Sequence, residues 1–247
     1  MGLKEFFEVN NKVALAFSGG VDSSYLLYAA AEAGADVKAY YARSQFQPQF
    51  EFEDAQKIAE LTGSDMKVIR LDVLADEKVT ANPPDRCYYC KVNIMSAILK
   101  HAREDGYELV IDGTNASDDL SDRPGAKALR ELGIRSPLRE CGITKEEVRR
   151  FSREAGLPVW NKPAYACLAT RILCGEEITA EKLIVTERAE SIMHDMGFTD
   201  FRVRMRGRDA LLQVRADQYN KALNGLDEIR GGLSGMYDRV ELDPTAR

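Results

Sequence analysis

The sequence predicts an α/β protein: a parallel sheet with helices on both faces, joined to a smaller α+β domain. Three observations carry this. A short apolar run, Val13 to Phe17, passes straight into Ser18-Gly19-Gly20-Val21-Asp22-Ser23-Ser24 and then into an apolar helical stretch from Tyr25 to Ala31. Strand-like and helical segments alternate from Val13 to about Pro158, the pattern of βαβ units. From Thr179 the pattern changes to one long helix, a hairpin, another helix and a last strand. The predicted domains are residues 1–172 and 173–247, linked through roughly Leu173 to Ile178.

Val13 to Phe17 is short, apolar and bounded by Lys12 and Ser18, as a strand buried on both faces requires. Gly19 and Gly20 allow a tight turn with positive φ and let backbone N–H groups approach an anion with no Cβ in the way. The helix that follows puts this loop at a helix N-terminus, where unpaired N–H groups and the macrodipole favour phosphate. Hydroxyls of Ser18, Ser23 and Ser24 add donors, and Asp22 beside a phosphate fits Mg²⁺ at the same place. The loop lacks the lysine of G-x-x-x-x-G-K-[ST] and is not G-x-G-x-x-G. The plainer reading is a Gly-Ser strand-to-helix turn capped by Asp or Ser.

Val37 to Tyr41 reads as a second strand, which sets Arg43 at the ligand edge of the sheet, near ATP or simply in a solvated loop. Phe52 to Thr62 is helical, Lys67 to Leu71 a third strand, and Asp72 to Asn82 a polar stretch stopped by Pro83-Pro84. Val92 to Arg103 is an amphipathic helix and Leu109 to Ile111 a further strand. Gly113 and Thr114 follow at the ligand edge, either beside nucleotide or in a plain β-turn. Asn115 to Gly125 is an acidic loop, and Ala126 to Leu132 is helical. Thr144-Lys145-Glu146-Glu147 is a capping box opening a helix that runs to Ala155. In the second domain Thr179 to Met196 is the long helix, Phe201 to Met205 and Ala210 to Val214 form the hairpin around Gly207, and Tyr237 to Leu242 is the last strand.

Two groups outside the loop could carry chemistry. Cys87 and Cys90 stand as C-x-x-C beside the helix from Val92, and thiolate, the form that binds metal or attacks sulfur, is favoured near a helix N-terminus. Alone the pair could be a redox site or half a zinc site, and no second pair completes the zinc set. Cys167 lies among other site-like residues, and three thiolates suit a [4Fe-4S] cluster with one iron left open. The alternative is that all are small packing residues, the reading kept for Cys141 and Cys174. Arg202 and Arg204 alternate along a strand and present two guanidinia on one face, matching phosphate or, equally, pairing with Glu190 and Asp209.

Composition narrows the class. A net charge of −6 opposes a broad nucleic-acid footprint, and no apolar run approaches the roughly 20 residues that span a bilayer. With no signal-peptide pattern at Met1 to Asn10, a cytoplasmic location is expected, where five cysteines are not a disulfide framework.

Ser18 to Ser24 resembles the PP-loop of ATP pyrophosphatases, which fold as Rossmann-like sheets. Together with Pro84-Asp85-Arg86-Cys87-Tyr88-Tyr89-Cys90-Lys91, Asp112-Gly113, Arg123-Pro124-Gly125, Trp160-Asn161-Lys162-Pro163-Ala164, Thr170-Arg171 and Arg202-Val203-Arg204, it makes the chain similar to the LarE family of ATP-dependent sulfur transferases. The resemblance implies adenylylation of a carboxylate of pyridinium-3,5-biscarboxylic acid mononucleotide and its conversion to a thiocarboxylate, a step in making the nickel-pincer nucleotide cofactor. It implies ATP and pyrophosphate contacts from Ser18, Gly19, Gly20, Asp22, Ser23 and Ser24; Ala16 and Phe17, which lead into the loop, and Arg43, Gly113 and Thr114, at the ligand edge of the sheet, are expected beside the same ATP. Asp22 and the three cysteines Cys87, Cys90 and Cys167 would be catalytic, the thiols holding a [4Fe-4S] cluster. Arg202, Arg204 and Thr170 would bind the substrate phosphate, and Glu190 would serve metal or substrate. At Gln213 some members carry an acid. Implied partners are the small-molecule nucleotide, sulfide or a sulfur-donor protein, and further copies of the chain in a trimer or hexamer. Rival readings are a PP-loop tRNA thiolase, GMP or NAD synthesis, and a nucleotide-binding regulator without turnover.

Overall fold

The computed structural model describes residues 2–119 and 124–245. Its chain divides into two compact units, Met1–Val73 with Asp85–Ala164 and Leu74–Pro84 with Tyr165–Arg247. The first unit opens with α1 (Leu3–Val9), β1 (Lys12–Ala16), α2 (Val21–Glu32), β2 (Asp36–Arg43), α3 (Gln49–Leu61) and β3 (Met66–Arg70). Residues 74–84, including α4 (Glu77–Thr80), belong to the second unit. The first unit then resumes with α5 (Arg86–Glu104), β4 (Val110–Asp112), α6 (Pro124–Glu131), α7 (Pro137–Glu140) and α8 (Lys145–Glu154).

Its four-stranded sheet is parallel, in the order β3-β2-β1-β4. Side chains alternate across a strand, so Val13 and Leu15 enter one core with α1, α2, α3 and α8, while Ala14 enters the other with α5 and α6. Burial on both faces is why β1 reads as an unbroken apolar run. The chain leaves β1 for β2 on one side and later adds β4 on the other. The carboxyl ends of β1 and β4 therefore flank the switch point at which such sheets bind ligands.

The second unit contains α9 (Ala180–Asp195), a hairpin of β5 (Arg202–Arg206) and β6 (Asp209–Gln213), α10 (Tyr219–Asn224), α11 (Leu226–Gly232) and β7 (Val240–Leu242), which pairs parallel with β6. Met193, Val203, Leu212 and Leu233 form its core. The stretch expected to link the domains is part of this unit. Asn82 donates to the Leu173 carbonyl at 2.9 Å, and the N–H groups of Gly175 and Ile178 donate to Asn82 and Thr80. The division thus falls at Ala164/Tyr165, ahead of the 172/173 boundary read from the sequence.

The predicted capping box is present, Thr144 accepting from the Glu147 N–H and Glu147 accepting from that of Thr144. Two local expectations need correction. The helix expected from Val92 starts at Arg86, so the cysteine pair lies inside its first turns. Of the two loop glycines only Gly19 takes positive φ, at 71°, whereas Gly20 caps α2 with φ −77° and ψ 164°.

Candidate functional site

The loop after β1 is held from within. The Ser18 N–H donates to Ser23 Oγ at 3.3 Å, the two hydroxyls stand 3.1 Å apart, and Ser23 Oγ donates to the Gly20 carbonyl at 3.2 Å. Ser24 is fully buried, its Oγ without a partner. Phe17 is buried, with its N–H on the Tyr40 carbonyl, so neither its ring nor its N–H is open to a ligand.

Neighbouring backbone presses on the loop from two sides. A Cβ at Gly19 would stand 2.8 Å from Ala55 Cβ on α3. One at Gly113, just past β4, would stand 2.8 Å from the Ser23 nitrogen. Gly113 thus lets the loop after β4 meet the first turn of α2 backbone to backbone. Thr114, beside it, donates from Oγ1 to Asp112 at 2.6 Å, and Ser136 donates to the other oxygen of that carboxylate at 2.6 Å.

Asp22 stands where these segments meet. One carboxylate oxygen accepts from Asn115 Nδ2 at 3.1 Å, and the other meets the ammonium of Lys145 at 2.5 Å. Both partners escaped the sequence reading as site residues. Lys145 lies 123 positions from Asp22, and its only local signal was the capping box. Arg43 is engaged elsewhere. Its guanidinium donates to the carbonyls of Gln47 and Pro48 and to Gln49, closing the turn that leads into α3.

Lys162, in the Trp160-Asn161-Lys162-Pro163 segment, sits 2.9 Å from both Glu51 and Asp54 on α3. Burial raises the Glu51 carboxyl above its ordinary value, an effect the Lys162 ammonium partly offsets.

Cys87 and Cys90 are one turn apart on α5, the first exposed and the second half-buried. Arg86 donates toward the Cys87 sulfur at 3.6 Å. Tyr88 reaches across to Glu131 of α6 at 2.6 Å and fixes this end of the helix. Two thiols spaced this way on one helix suit two corners of an iron–sulfur cluster in both donor type and placement. Cys167 is half-buried at the start of a short 3₁₀ turn, Leu168–Arg171, in the second unit. No disulfide joins any of the five cysteines, and among the described residues no group of three His, Cys, Asp or Glu side chains is gathered as a metal site. Burial pushes the Cys141 thiol up, as befits a packing residue. Arg123 lies outside the described residues.

In the second unit Arg202 and Arg204 occupy alternate positions of β5. Arg202 is buried over the Tyr165 ring, 5.4 Å from its centroid, and donates to the Phe201 carbonyl. Arg204 donates to Gln213 at 2.5 Å and to the Thr170 carbonyl at 3.0 Å. Gln213 in turn donates to Asp243 at 2.7 Å, and that bond holds the Asp243 carboxyl below its ordinary value. A carboxylate is therefore joined to Arg204 through Gln213.

Glu190 is not paired with this arginine couple, the alternative weighed from the sequence. Its carboxylate is buried against Arg171, at 2.7 and 3.0 Å, and also accepts from the Tyr165 hydroxyl at 2.6 Å and the Val203 N–H at 3.1 Å. Burial and the Glu190 charge raise the Tyr165 hydroxyl well above its ordinary value. The expectation that Glu190 serves metal or substrate meets a carboxylate already occupied on both oxygens.

Comparison with known proteins gives these features a context. Residues 8–120 match the asparagine synthase family model. The chain is 40% identical over 218 residues to an uncharacterised protein of Synechocystis, 87% of this chain and 81% of that one. It is 35% identical over 235 residues to the pyridinium-3,5-bisthiocarboxylic acid mononucleotide synthase of Lactiplantibacillus plantarum, 94% of this chain and 85% of the synthase. An uncharacterised protein of Methanocaldococcus jannaschii is 30% identical over 227 residues, 92% and 86% of the two chains. With the glycine loop, its Asp22 and the parallel sheet, a match that runs through both units of the chain places this protein in the LarE family of PP-loop ATP-dependent sulfur transferases.

Proposed function

We propose that this enzyme activates a carboxylate of pyridinium-3,5-biscarboxylic acid mononucleotide with ATP and exchanges the activated oxygen for sulfur. The observation that carries this reading is the identity to the synthase over 94% of the chain, which spans the nucleotide loop and the arginine strand alike. A carboxylate oxygen attacks the α-phosphorus and pyrophosphate leaves. Hydrosulfide then attacks the acyl carbon, AMP departs with the acyl oxygen, and the hydrosulfide proton is released, leaving a thiocarboxylate.

Backbone N–H groups between Gly19 and Ser23, with Mg²⁺ beside Asp22, would neutralise charge growing on the departing pyrophosphate. Arg202, Arg204 and Thr170 would hold the substrate phosphate. Cys87, Cys90 and Cys167 would hold a [4Fe-4S] cluster, which when bound supplies an open iron for sulfide. Sulfide or a donor protein would reload it. The enzyme would reside in the cytoplasm, as its sequence leads one to expect, and assembly into a homo-oligomer follows the family resemblance.

Purification without oxygen followed by iron and sulfide analysis should give about four of each per chain, and Cys90→Ala should lose the iron. ATP and the mononucleotide should then yield AMP, pyrophosphate and a product with one oxygen replaced by sulfur, none of which Asp22→Ala should form. Retention of all iron in Cys90→Ala would remove that ligand. Absence of the thiocarboxylate from the wild-type reaction would overturn the substrate.

A further inference from the structure

We propose that Lys162 is a positioning residue of the nucleotide loop: it ties α3 to the turn that follows α8 and so holds Ala55 against Gly19. This role rests on the reading of Ser18 to Ser24 as an ATP site. Trp160-Asn161-Lys162-Pro163 supplies no group to the chemistry proposed for that site, yet the Lys162 side chain keeps only 15% of its surface exposed. A lysine so well covered needs partners.

Two helices flank the loop. Gly19 lies so close to α3 that a Cβ on it would stand 2.8 Å from Ala55 Cβ, and Asp22 meets the start of α8 through Lys145. Hydrogen bonds among Ser18, Gly20 and Ser23 fix the shape of the loop itself. Its place in the unit depends on where these helices stand. Arg43 holds the entry to α3 through the carbonyls of Gln47 and Pro48. One turn further on, Lys162 stands 2.9 Å from both Glu51 and Asp54, the residue before Ala55. Asp54 also meets Lys57 at 3.5 Å, but Lys57 belongs to α3 and ties that helix to nothing else.

Lys162 can hold α3 because α8 holds Lys162. Arg149 donates to the carbonyls of Trp160 at 2.8 Å and of Lys162 at 3.0 Å, and the Lys162 N–H donates to the Val159 carbonyl at 2.9 Å. The contact with Asp54 is a hydrogen bond, whereas Glu51 Oε1 is near enough to pair in charge but is not aligned to accept. At Glu51 the tie is therefore electrostatic. Without the ammonium, Glu51 and Asp54 face each other as like charges, and nothing from α8 draws their face of α3 inward. The N–H groups of the loop then meet pyrophosphate from a displaced position, and a site whose support shifts loses the benefit of preorganisation.

Calorimetric titration of the full-length protein with Mg²⁺-pyrophosphate, alongside thermal melting, tests this. Lys162→Met should weaken pyrophosphate binding about 10-fold and lower the melting temperature. In Lys162→Met/Glu51→Gln no half-buried carboxylate has lost its cation, so the melting temperature should return toward wild type while the affinity stays weak. Lys162→Arg, whose guanidinium can span both carboxylates, should restore the affinity. Unchanged affinity in Lys162→Met would overturn the proposal. So would an affinity that recovers together with stability in the double variant, the mark of a purely structural pair, and that variant decides alone should Lys162→Met fail to fold. A wild-type protein that binds no Mg²⁺-pyrophosphate would remove the ATP site and the role of Lys162 with it. A Lys162-dependent affinity in a protein that forms no thiocarboxylate would overturn the proposed substrate and leave the positioning role standing.

Discussion

At the scale of single residues, two of the three glycines around the nucleotide loop are required, each for a different reason. Gly19 needs its positive φ and has Ala55 against the place of a Cβ, while Gly113 has only the second constraint, against Ser23. Gly20 has neither, its nearest neighbour being a flexible hydroxyl at 3.4 Å. Gly19→Ala should therefore cost about 1–2 kcal/mol for the left-handed backbone and about 1–3 kcal/mol for overpacking. Gly20→Ala should stay within about 1 kcal/mol, the loss of a tolerant N-cap. Urea denaturation of the two variants decides it, and equal losses would refute the distinction. The loop motif made Gly19 and Gly20 look alike, and Gly113 was read apart from it, beside nucleotide or in a plain turn. Which one is conformational and which one steric depends on α3 and on the loop after β4, both remote in sequence.

At the scale of elements, Arg171 and Glu190 tie the 3₁₀ turn, α9 and β5 together in the second unit. The guanidinium is fully buried and the carboxylate nearly so. Removing one partner strands a charge in a low-dielectric site, at about 3–5 kcal/mol, whereas replacing both with apolar residues of similar volume avoids that penalty. Arg171→Met should accordingly melt lower than the double variant Arg171→Met/Glu190→Leu, as followed by circular dichroism. A double variant less stable than either single would show that the pair is net stabilising. The elements themselves were readable from their patterns: the capping box at Thr144, the long helix after Thr179 and the hairpin about Gly207 all stand where the sequence puts them. The start of α5 was not, because Arg86-Cys87-Tyr88-Tyr89-Cys90 has weak helical periodicity and is held by contacts such as that of Tyr88 with Glu131.

Across the whole first unit, Asp105 at the end of α5 gathers Lys67, Tyr40 and Lys38 from two strands. The Lys67 hydrogen bond, followed by that of Tyr40, lowers its carboxyl from 3.8 to about 2. A depressed carboxylate adds stability above its unfolded value and loses it as pH falls through the folded one. The melting-temperature gap between wild type and Asp105→Asn should be full above about pH 4 and close toward pH 2. A gap that persists at pH 2 would mean the contact does not depend on charge. Local chemistry along the chain sufficed for a parallel α/β sheet, a glycine loop on a helix N-terminus and a second α+β unit. Periodicity, caps and turn residues act over a few positions, so each can be read in a short window. Folding alone settled that residues 74–84 join the second unit, that Glu190 answers to Arg171, and that Asp22 meets Lys145. Such pairings join groups tens to more than a hundred positions apart, and it is sheet order and core packing that bring them within reach.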